Sequence, residues 1–216
     1  MRSTETARPL TVRTLRRAAR DLSASDPQLA ASVGRFGPPP LWSRQPSYAT
    51  LVHLILEQQV SLASAQAAFD RLRATLDGSV DPAALLGLSD GELRAIGFSR
   101  QKSGYARTLA SAILDGFDLD ALGAMPEHEV RQALIAMPGI GPWTADIYLT
   151  MCLLRPDVWP HGDLALATSA RDLLGLDERP TFVELGAIAE RWRPYRAVAA
   201  RILWHDYLRR RNLPVD

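Results

Sequence analysis

The sequence predicts an all-α protein, and three observations support this fold class. No segment alternates β-branched and polar residues in the way strands do. Apolar residues instead recur at helical spacing along almost the whole chain. The third observation is a set of helix-start signals. An aspartate precedes a proline of the first helical turn at Asp26-Pro27 and Asp81-Pro82. A serine or threonine lies three residues before a glutamate at Ser89 to Glu92 and at Thr181 to Glu184.

In chain order, the first helix is expected to start near Val12. The segment from Gly34 to Pro46 is expected to be a rigid connector, because Gly37 is followed by three prolines that helix interiors exclude. The stretch from residue 47 to about 135 is expected to hold four or five short helices, and two or three more follow from about residue 153. The expected breaks in the middle stretch are Asp77-Gly78, Gly87, Gly97 and Gly116. The resulting segments are 1–46, 47–152 and 153–216.

Composition excludes several classes of site. Of the 216 residues, 47% are hydrophobic and 23% charged, which is typical of an ordinary globular protein. Cys152 is the only cysteine, so this chain alone cannot build a disulfide, a cysteine-ligated zinc site or a four-cysteine iron-sulfur cluster. The net charge of +1 does not by itself indicate a polyanionic partner.

The apolar stretches predict a protein that does not contact membranes. The N-terminal residues MRSTETARPL lack the apolar core of a signal peptide. The run LVHLIL, from Leu51 to Leu56, is far too short to span a bilayer. We therefore expect a cytoplasmic protein, associated with the nucleoid if the source is bacterial.

The most informative motif is LIAMPGIGPWTAD, from Leu134 to Asp146. A helical run stops before Gly139 and another starts at Pro142, so the motif predicts a helical hairpin. Glycines at 139 and 141 permit positive φ angles and leave no side chain to block close approach. Their N–H groups beside a helix N-terminus would form an anion site, with Ile140 plugging the turn into the core. A corner that merely packs two helices is the alternative.

A carboxylate follows about two dozen residues after the hairpin. In VWPHGDLAL, from Val158 to Leu166, Asp163 comes after a loop containing Pro and Gly and before a helical run. An aspartate here could be a plain helix N-cap. It could also stabilise the oxocarbenium-like transition state of glycosidic cleavage or orient the attacking water. The two roles are compatible, and His161 is expected to be a loop or DNA-facing residue.

Together these motifs resemble the helix-hairpin-helix (HhH-GPD) superfamily of DNA glycosylases, in its 3-methyladenine DNA glycosylase II branch. The resemblance covers about residues 47–210 and is to compact members without the N-terminal β-lobe. Besides the hairpin and the Asp163 loop, it is strongest at LEQQVS (Leu56 to Ser61) and RWRPYRAVAARILWHDYL (Arg191 to Leu208). It implies two helical lobes with a cleft between them, the C-terminal helices packing against the N-terminal one.

The resemblance also implies an activity. The expected enzyme is a monomer that binds double-stranded DNA containing a damaged base, flips that base out and hydrolyses its N-glycosidic bond with Asp163 as the catalytic residue. Base excision repair of 3-methyladenine, 7-methylguanine and similar alkylated bases is the expected function. A cationic alkylated base is a good leaving group and is attracted to aromatic faces. By resemblance, Trp143 and Trp204 line the base pocket, and Tyr148 is a further wall although the family's tyrosine aligns with Ile147.

Other residues are assigned to DNA by the same resemblance. Gln59 stands at the position of the wedge that fills the hole left by the flipped base, and Gln58 matches a buried polar position beside it. Backbone contacts are expected from the hairpin, and C-terminal arginines are candidates for phosphate contacts. The hairpin residues are Gly139, Ile140, Gly141 and Thr144, and the arginines are Arg201 and Arg209 to Arg211.

No strand cleavage is expected. Bifunctional relatives use a lysine amine near the second hairpin glycine, and this chain has Trp143 there. Lys102, the only lysine, lies in a different segment that is expected to be a solvated helix face, near the DNA backbone if it contacts DNA. No cofactor and no catalytic metal are expected, although a structural sodium or potassium ion at the hairpin is implied by resemblance. Its ligands would be the main-chain carbonyls of Ile135, Met137 and Ile140.

Two alternatives remain open. A glycosylase for oxidised or mismatched bases would share the hairpin and Asp163 but differ in the pocket. A non-catalytic DNA-binding protein would keep the hairpin for phosphate binding alone. A carboxylate at the position of Asp163 favours an enzyme over the second alternative.

Overall fold

The computed structural model describes residues 8–215, which form twelve α-helices and no strand. The predicted all-α fold class is therefore confirmed. The ninth helix, Pro142–Ile147, continues into a π-helical turn at Tyr148–Cys152. Two 3-10 turns lie at Ala121–Ala124 and Glu190–Trp192. The helices are α1 Val12–Ser25, α2 Pro27–Phe36, α3 Tyr48–Glu57, α4 Leu62–Thr75, α5 Pro82–Gly87, α6 Asp90–Ile96, α7 Arg100–Leu114, α8 Glu127–Ile135, α9 Pro142–Ile147, α10 Leu164–Leu174, α11 Phe182–Ala189 and α12 Arg196–Arg210.

The chain divides into two compact units. The terminal unit combines the residues up to Ser43 with those from Leu149 onward, and the central unit runs from Arg44 to Tyr148. The segment boundaries expected after residues 46 and 152 therefore fall slightly beyond the observed ones. The first and last expected segments belong to one unit, in which α1 and α2 pack against α12.

The predicted helix starts are confirmed where cap residues are encoded locally. Asp26 and Asp81 cap α2 and α5 through their carboxylates, with proline in the first turn of each helix. Ser89 and Thr181 form capping boxes with Glu92 and Glu184 at the starts of α6 and α11. Helix α1 begins at Val12 as expected. These positions need no tertiary information because a cap uses only neighbouring residues.

Two details of the prediction are wrong. The connector begins at Gly37, where φ is +81°, because α2 continues through Gly34 to Phe36. A glycine inside a helix costs only about 1 kcal/mol, which the packing of α2 can offset. The central stretch also contains six α-helices, α3 to α8, rather than four or five.

In the terminal unit, α12 is the central helix. Helices α1, α2 and α10 all pack against it. The stretch from Ala197 to Asp206 on α12 is buried throughout. It begins with three alanines in four residues, whose small side chains allow neighbouring helices to approach closely. This packing fixes the direction of α10 and therefore the position of Asp163 at its start.

In the central unit, α3 is largely buried. It packs against α4 and α7, and Leu51, Leu54 and Ile55 have no exposed surface. Helices α8 and α9 pack against each other to form the hairpin. Every helix within residues 8–215 is too short or too polar to cross a membrane.

Candidate functional site

The hairpin between α8 and α9 is a tight turn around two glycines. Gly139 has a φ of +87°, a left-handed conformation that favours glycine, and the N–H of Ile140 donates to the carbonyl of Met137 at 3.0 Å. The side chain of Ile140 is buried, as expected for a plug. Gly141 caps α9, which begins at Pro142. No described residue supplies an acceptor for the N–H groups of Gly139 and Gly141.

The two glycines are required for different reasons. A Cβ atom at Gly139 would overlap the ring of Tyr105 on α7, so both the backbone angle and the space demand glycine. Gly141 has an extended backbone with φ of −90°, and a Cβ there would meet no atom within 4 Å. The expectation of positive φ at both positions is therefore wrong for Gly141. Its missing side chain leaves open space outside the turn.

Gln58 joins the end of α3 to the hairpin. Its side-chain Nε2 donates to the carbonyl of Gly139 at 2.8 Å and to Oγ1 of Thr144 at 3.1 Å. The structure thus brings together three residues that the sequence assigned to the DNA-binding region. The side chain of Thr144 is buried and accepts the hydrogen bond from Gln58, so it stabilises the hairpin. A contact of this segment with DNA stays a prediction.

Gln59, the expected wedge, stands out by its backbone. Its φ is +57°, in the left-handed region that costs a non-glycine residue about 1–2 kcal/mol. Its side chain is exposed, whereas the neighbouring Gln58 is half-buried. An exposed side chain on a strained turn directly after a buried helix suits a residue that projects from the surface.

Lys102 stabilises the turn that carries Gln59. Its Nζ donates to the carbonyls of Leu56 and Gln58, both at 2.8 Å. A cation at the C-terminus of α3 also interacts favourably with the helix dipole. Burial lowers the pKa of the Lys102 ammonium below its usual value. The expected solvated face is therefore wrong at this residue, and the sequence held no local signal for a contact between residues so far apart in the chain.

A buried ion pair fastens the two helices of the hairpin. Asp146 on α9 has no exposed surface, and its Oδ1 accepts from Nε and from one terminal nitrogen of Arg131 on α8, at 2.8 and 2.5 Å. Removing one partner of such a pair leaves a buried charge uncompensated. Sequence reasoning missed this pair.

In the terminal unit, the Asp163 loop turns at Gly162, where φ is +80°. Asp163 is the N-cap of α10, and its Oδ1 accepts from the N–H of Leu166 at 2.9 Å. This contact holds the carboxylate at the N-terminus of an eleven-residue helix, where negative charge is stabilised. His161 lies in the same loop, against Gly186 of α11.

The three aromatic residues expected in the base pocket differ in exposure. Trp143 is partly exposed, Trp204 on α12 is 8% exposed, and Tyr148 has no exposed surface. A flipped base can stack only on a face that it can reach. Trp143 is accordingly the best placed of the three, and a role for Tyr148 would require its surroundings to move.

The C-terminal arginines are largely committed within the protein. Arg201 is fully buried and donates to the carbonyls of Leu41, Thr150 and Ala197, and burial lowers its pKa to about 10. Burial therefore excludes Arg201 as a candidate for phosphate contact. Arg210 pairs with Asp206 on the same helix at 2.5 Å. Arg211 lies 3.5 Å from Asp172 and stacks over Tyr207.

No group of three or more His, Cys, Asp or Glu residues within residues 8–215 could hold a metal ion. Of the carbonyls expected to hold a monovalent cation, that of Met137 already accepts one hydrogen bond, from Ile140. A carbonyl oxygen has two lone pairs, so this bond does not prevent it from acting as a ligand.

Comparison with known proteins places this geometry in context. Residues 52–194 match the family described as HhH-GPD superfamily base excision DNA repair protein. DNA-3-methyladenine glycosylase 1 of Schizosaccharomyces pombe is 28% identical over 82% of this chain and 79% of its own length. The protein YfjP of Bacillus subtilis is 28% identical over 74% of this chain, and the aligned region covers 58% of its length.

Among solved structures, the chain is similar to a 3-methyladenine DNA glycosylase of Schizosaccharomyces pombe in complex with abasic DNA. The TM-score is 0.81 at 28% identity, and the match covers 87% of this chain and 95% of that one. The similarity therefore extends over both units described above.

Proposed function

The chain belongs to the HhH-GPD superfamily of base excision DNA repair proteins, and from this premise we propose that it is a monofunctional glycosylase for alkylated bases in duplex DNA. The proposal draws on the activity named for its Schizosaccharomyces pombe relatives. The observation that carries it is the carboxylate of Asp163, fixed at the start of α10 in a chain that also contains the glycine hairpin.

The hairpin is proposed to bind a backbone phosphate. The N–H groups of Gly139 and Gly141 are donors that carry no sequence information, which suits an enzyme that must act in any sequence context. The open space at Gly141 allows a phosphate to approach the main chain closely. Gln58 supports this proposal, because it fixes the Gly139 carbonyl and thereby orients the turn.

Gln59 is proposed to enter the duplex when the damaged base leaves it. Flipping a base costs stacking and pairing energy, and a side chain that fills the gap offsets part of that cost. The left-handed turn places this side chain at an exposed corner, and Lys102 holds the carbonyls of Leu56 and Gln58 that precede it.

Asp163 is proposed to be the catalytic residue. Cleavage of the N-glycosidic bond develops positive charge on the sugar, and a fixed carboxylate stabilises that charge or orients the water that attacks it. The cap contact with Leu166 restricts the carboxylate before the substrate arrives, so little reorganisation is needed during the reaction. The same side chain thus serves the fold and the chemistry.

Base excision without strand cleavage is part of the proposal. Strand cleavage by this superfamily's bifunctional mechanism needs a lysine amine as nucleophile. The relevant position is occupied by Trp143, and the amine of Lys102 donates to two main-chain carbonyls. An amine held in this way would have to abandon both contacts to form a Schiff base.

Alkylated bases are proposed as substrates because they are cationic. Trp143 and Trp204 offer π-faces that attract a cation, and a base of this kind leaves without strong acid catalysis. We further propose that the protein acts as a monomer and needs no cofactor. A structural sodium or potassium ion is proposed to bind the main-chain carbonyls of Ile135, Met137 and Ile140 in the hairpin.

The experiment that tests the proposal is release of 3-methyladenine and 7-methylguanine from methylated duplex DNA, with strands scored before and after alkali. The proposal expects base release, with strand breaks only after alkali treatment. Breaks without alkali would contradict the monofunctional assignment. Duplex binding without release of either base would favour another lesion or the non-catalytic alternative.

A further inference from the structure

Helix α1 carries a dense row of arginines that the proposed function does not use. Four of its fourteen residues are exposed arginines, and Arg8 precedes the helix. Asp21 is the only acidic residue in this stretch. The chain as a whole carries a net charge of only +1, so this positive charge is local. The helical arginines are Arg13, Arg16, Arg17 and Arg20.

Part of this row lines a groove in the terminal unit. The groove has a volume of about 660 Å³, and the residues that line it include Leu10, Pro156 and Tyr195. No acidic residue lines it. The groove is lined by four arginines, Arg8, Arg13, Arg17 and Arg20. We call these four residues the arginine groove.

The arginine groove differs from most other arginine clusters of the protein in lacking carboxylate partners. Arg193 and Arg196 share Asp157 and Glu190, with nitrogen to oxygen distances of 2.6 to 3.0 Å. Within residues 8–215, no carboxylate lies in ion-pair distance of any arginine of the groove. Clustered like charges repel one another, so a groove of this kind is stabilised when an anion binds.

We propose that the arginine groove binds the phosphate backbone of DNA, as a second phosphate-binding surface in addition to the hairpin. This inference rests on the proposed function for the identity of the polyanion. Guanidinium groups contact phosphates through two parallel hydrogen bonds, which lysine cannot match. The surface reads no sequence and adds affinity for undamaged DNA along which the protein would search.

The spacing of the groove fits successive phosphates. Arg13, Arg17 and Arg20 lie at positions i, i+4 and i+7 of α1, so they share one face and span about 10 Å of helix axis at 1.5 Å per residue. One DNA strand presents a phosphate about every 3.4 Å along its axis. The row can therefore face about three phosphates of one strand.

The test compares the salt dependence of binding to an undamaged duplex for the native protein and for the triple variant Arg13→Gln, Arg17→Gln, Arg20→Gln. Each lost phosphate contact lowers the slope of log affinity against log salt by about 0.9. We expect the slope to fall by about 2 to 3, with affinity reduced several-fold at constant salt. The single variant Arg17→Gln should lower the slope by about 1 and guards against misfolding of the triple variant.

The matched control removes the same charge elsewhere, by Arg73→Gln, Arg94→Gln and Arg179→Gln, three exposed arginines outside the groove. Its slope should equal that of the native protein. A native slope in both the triple and the single groove variants would overturn the inference, and the groove would then serve a different anion, such as an acidic protein.

Base release distinguishes this inference from the proposed function. At saturating enzyme and low salt, the triple groove variant should release alkylated bases at the native rate, because Asp163 is unchanged. If the native protein binds duplex DNA but releases no base, the proposed function fails, while the slope comparison still decides whether the groove binds DNA.

Discussion

The hairpin region of the central unit and the Asp163 loop of the terminal unit are built in different ways. The hairpin offers main-chain groups whose geometry depends on Gly139 and on several side chains, among them Gln58 and Tyr105. The Asp163 loop offers one side chain, which accepts a hydrogen bond from the N–H of Leu166 at the start of α10. Changes in the hairpin region should therefore alter folding and DNA affinity, whereas changes at Asp163 should alter the rate of base release.

The largest expected effect is that of Asp163→Asn. Asparagine caps a helix as well as aspartate does, so the free energy of unfolding should stay near its native value. Losing one charge that stabilises a transition state typically lowers the rate by about 10²–10³-fold. Single-turnover base release and thermal unfolding measure the two quantities.

Asp163→Ala is the matched control for the cap. It removes the cap as well as the charge and should lower stability by about 1 kcal/mol beyond Asp163→Asn. If Asp163→Asn released bases at the native rate while Asp163→Ala was only less stable, the residue would be a cap and nothing more.

The two hairpin glycines provide the next test, because they differ in their surroundings. Gly139→Ala forces a Cβ into the ring of Tyr105 at a left-handed φ and should lower stability by about 1–3 kcal/mol. Gly141→Ala adds a Cβ to open space at an extended φ and should change stability by less than about 0.5 kcal/mol.

Gly141→Ala should nevertheless weaken DNA binding, since the added methyl group occupies the side from which a phosphate approaches the main chain. Chemical denaturation and titration with duplex DNA measure both effects. Native affinity in Gly141→Ala would mean that this glycine is not a phosphate contact.

Lys102 tests whether the turn that carries Gln59 depends on distant support. Lys102→Met removes two charge-assisted hydrogen bonds and should lower stability by about 1–3 kcal/mol. It should also slow base release several-fold at saturating DNA, because Gln59 is no longer held. Lys102→Arg keeps a donor and should recover part of the rate. A variant that is less stable but releases bases at the native rate would limit Lys102 to a structural role.

A change at the wedge itself is also expected to have little effect on stability. Gln59→Gly removes the left-handed strain, worth about 1–2 kcal/mol, but adds chain entropy to the unfolded state, so the melting temperature should stay constant or rise slightly. Base release should fall several-fold because no side chain fills the gap. Gln58→Ala is the contrasting variant, which should lower stability by breaking the contacts with Gly139 and Thr144. Release at the native rate by Gln59→Gly would exclude the wedge role.

The features that could be predicted from the sequence are those encoded by neighbouring residues. The capping boxes at Ser89 and Thr181 and the turn at Gly139 use local backbone chemistry, and all three form as predicted. The contacts that were missed join residues distant in the chain. Lys102 reaches a carbonyl 46 positions away, and no periodicity in a single sequence indicates such a pair.

Arg201 was misjudged for a related reason. Charged residues are almost always exposed, so an arginine near the C-terminus is expected at the surface, where it could contact a phosphate. Instead, Leu41 and Thr150 from other segments and Ala197 one turn earlier on α12 supply carbonyl acceptors to the guanidinium, which allows it to be buried. The burial of an arginine depends on acceptors from other segments, which its own neighbours do not reveal.

The most direct test of the account is a parallel measurement of duplex affinity and single-turnover base release for Asp163→Asn and Gly141→Ala, with an alkylated duplex. The account predicts that Asp163→Asn binds with nearly native affinity but releases bases at least about 100-fold more slowly. It predicts that Gly141→Ala binds more weakly but releases bases at a nearly native rate once saturated. Native base release by Asp163→Asn would contradict the central claim that this carboxylate performs the chemistry.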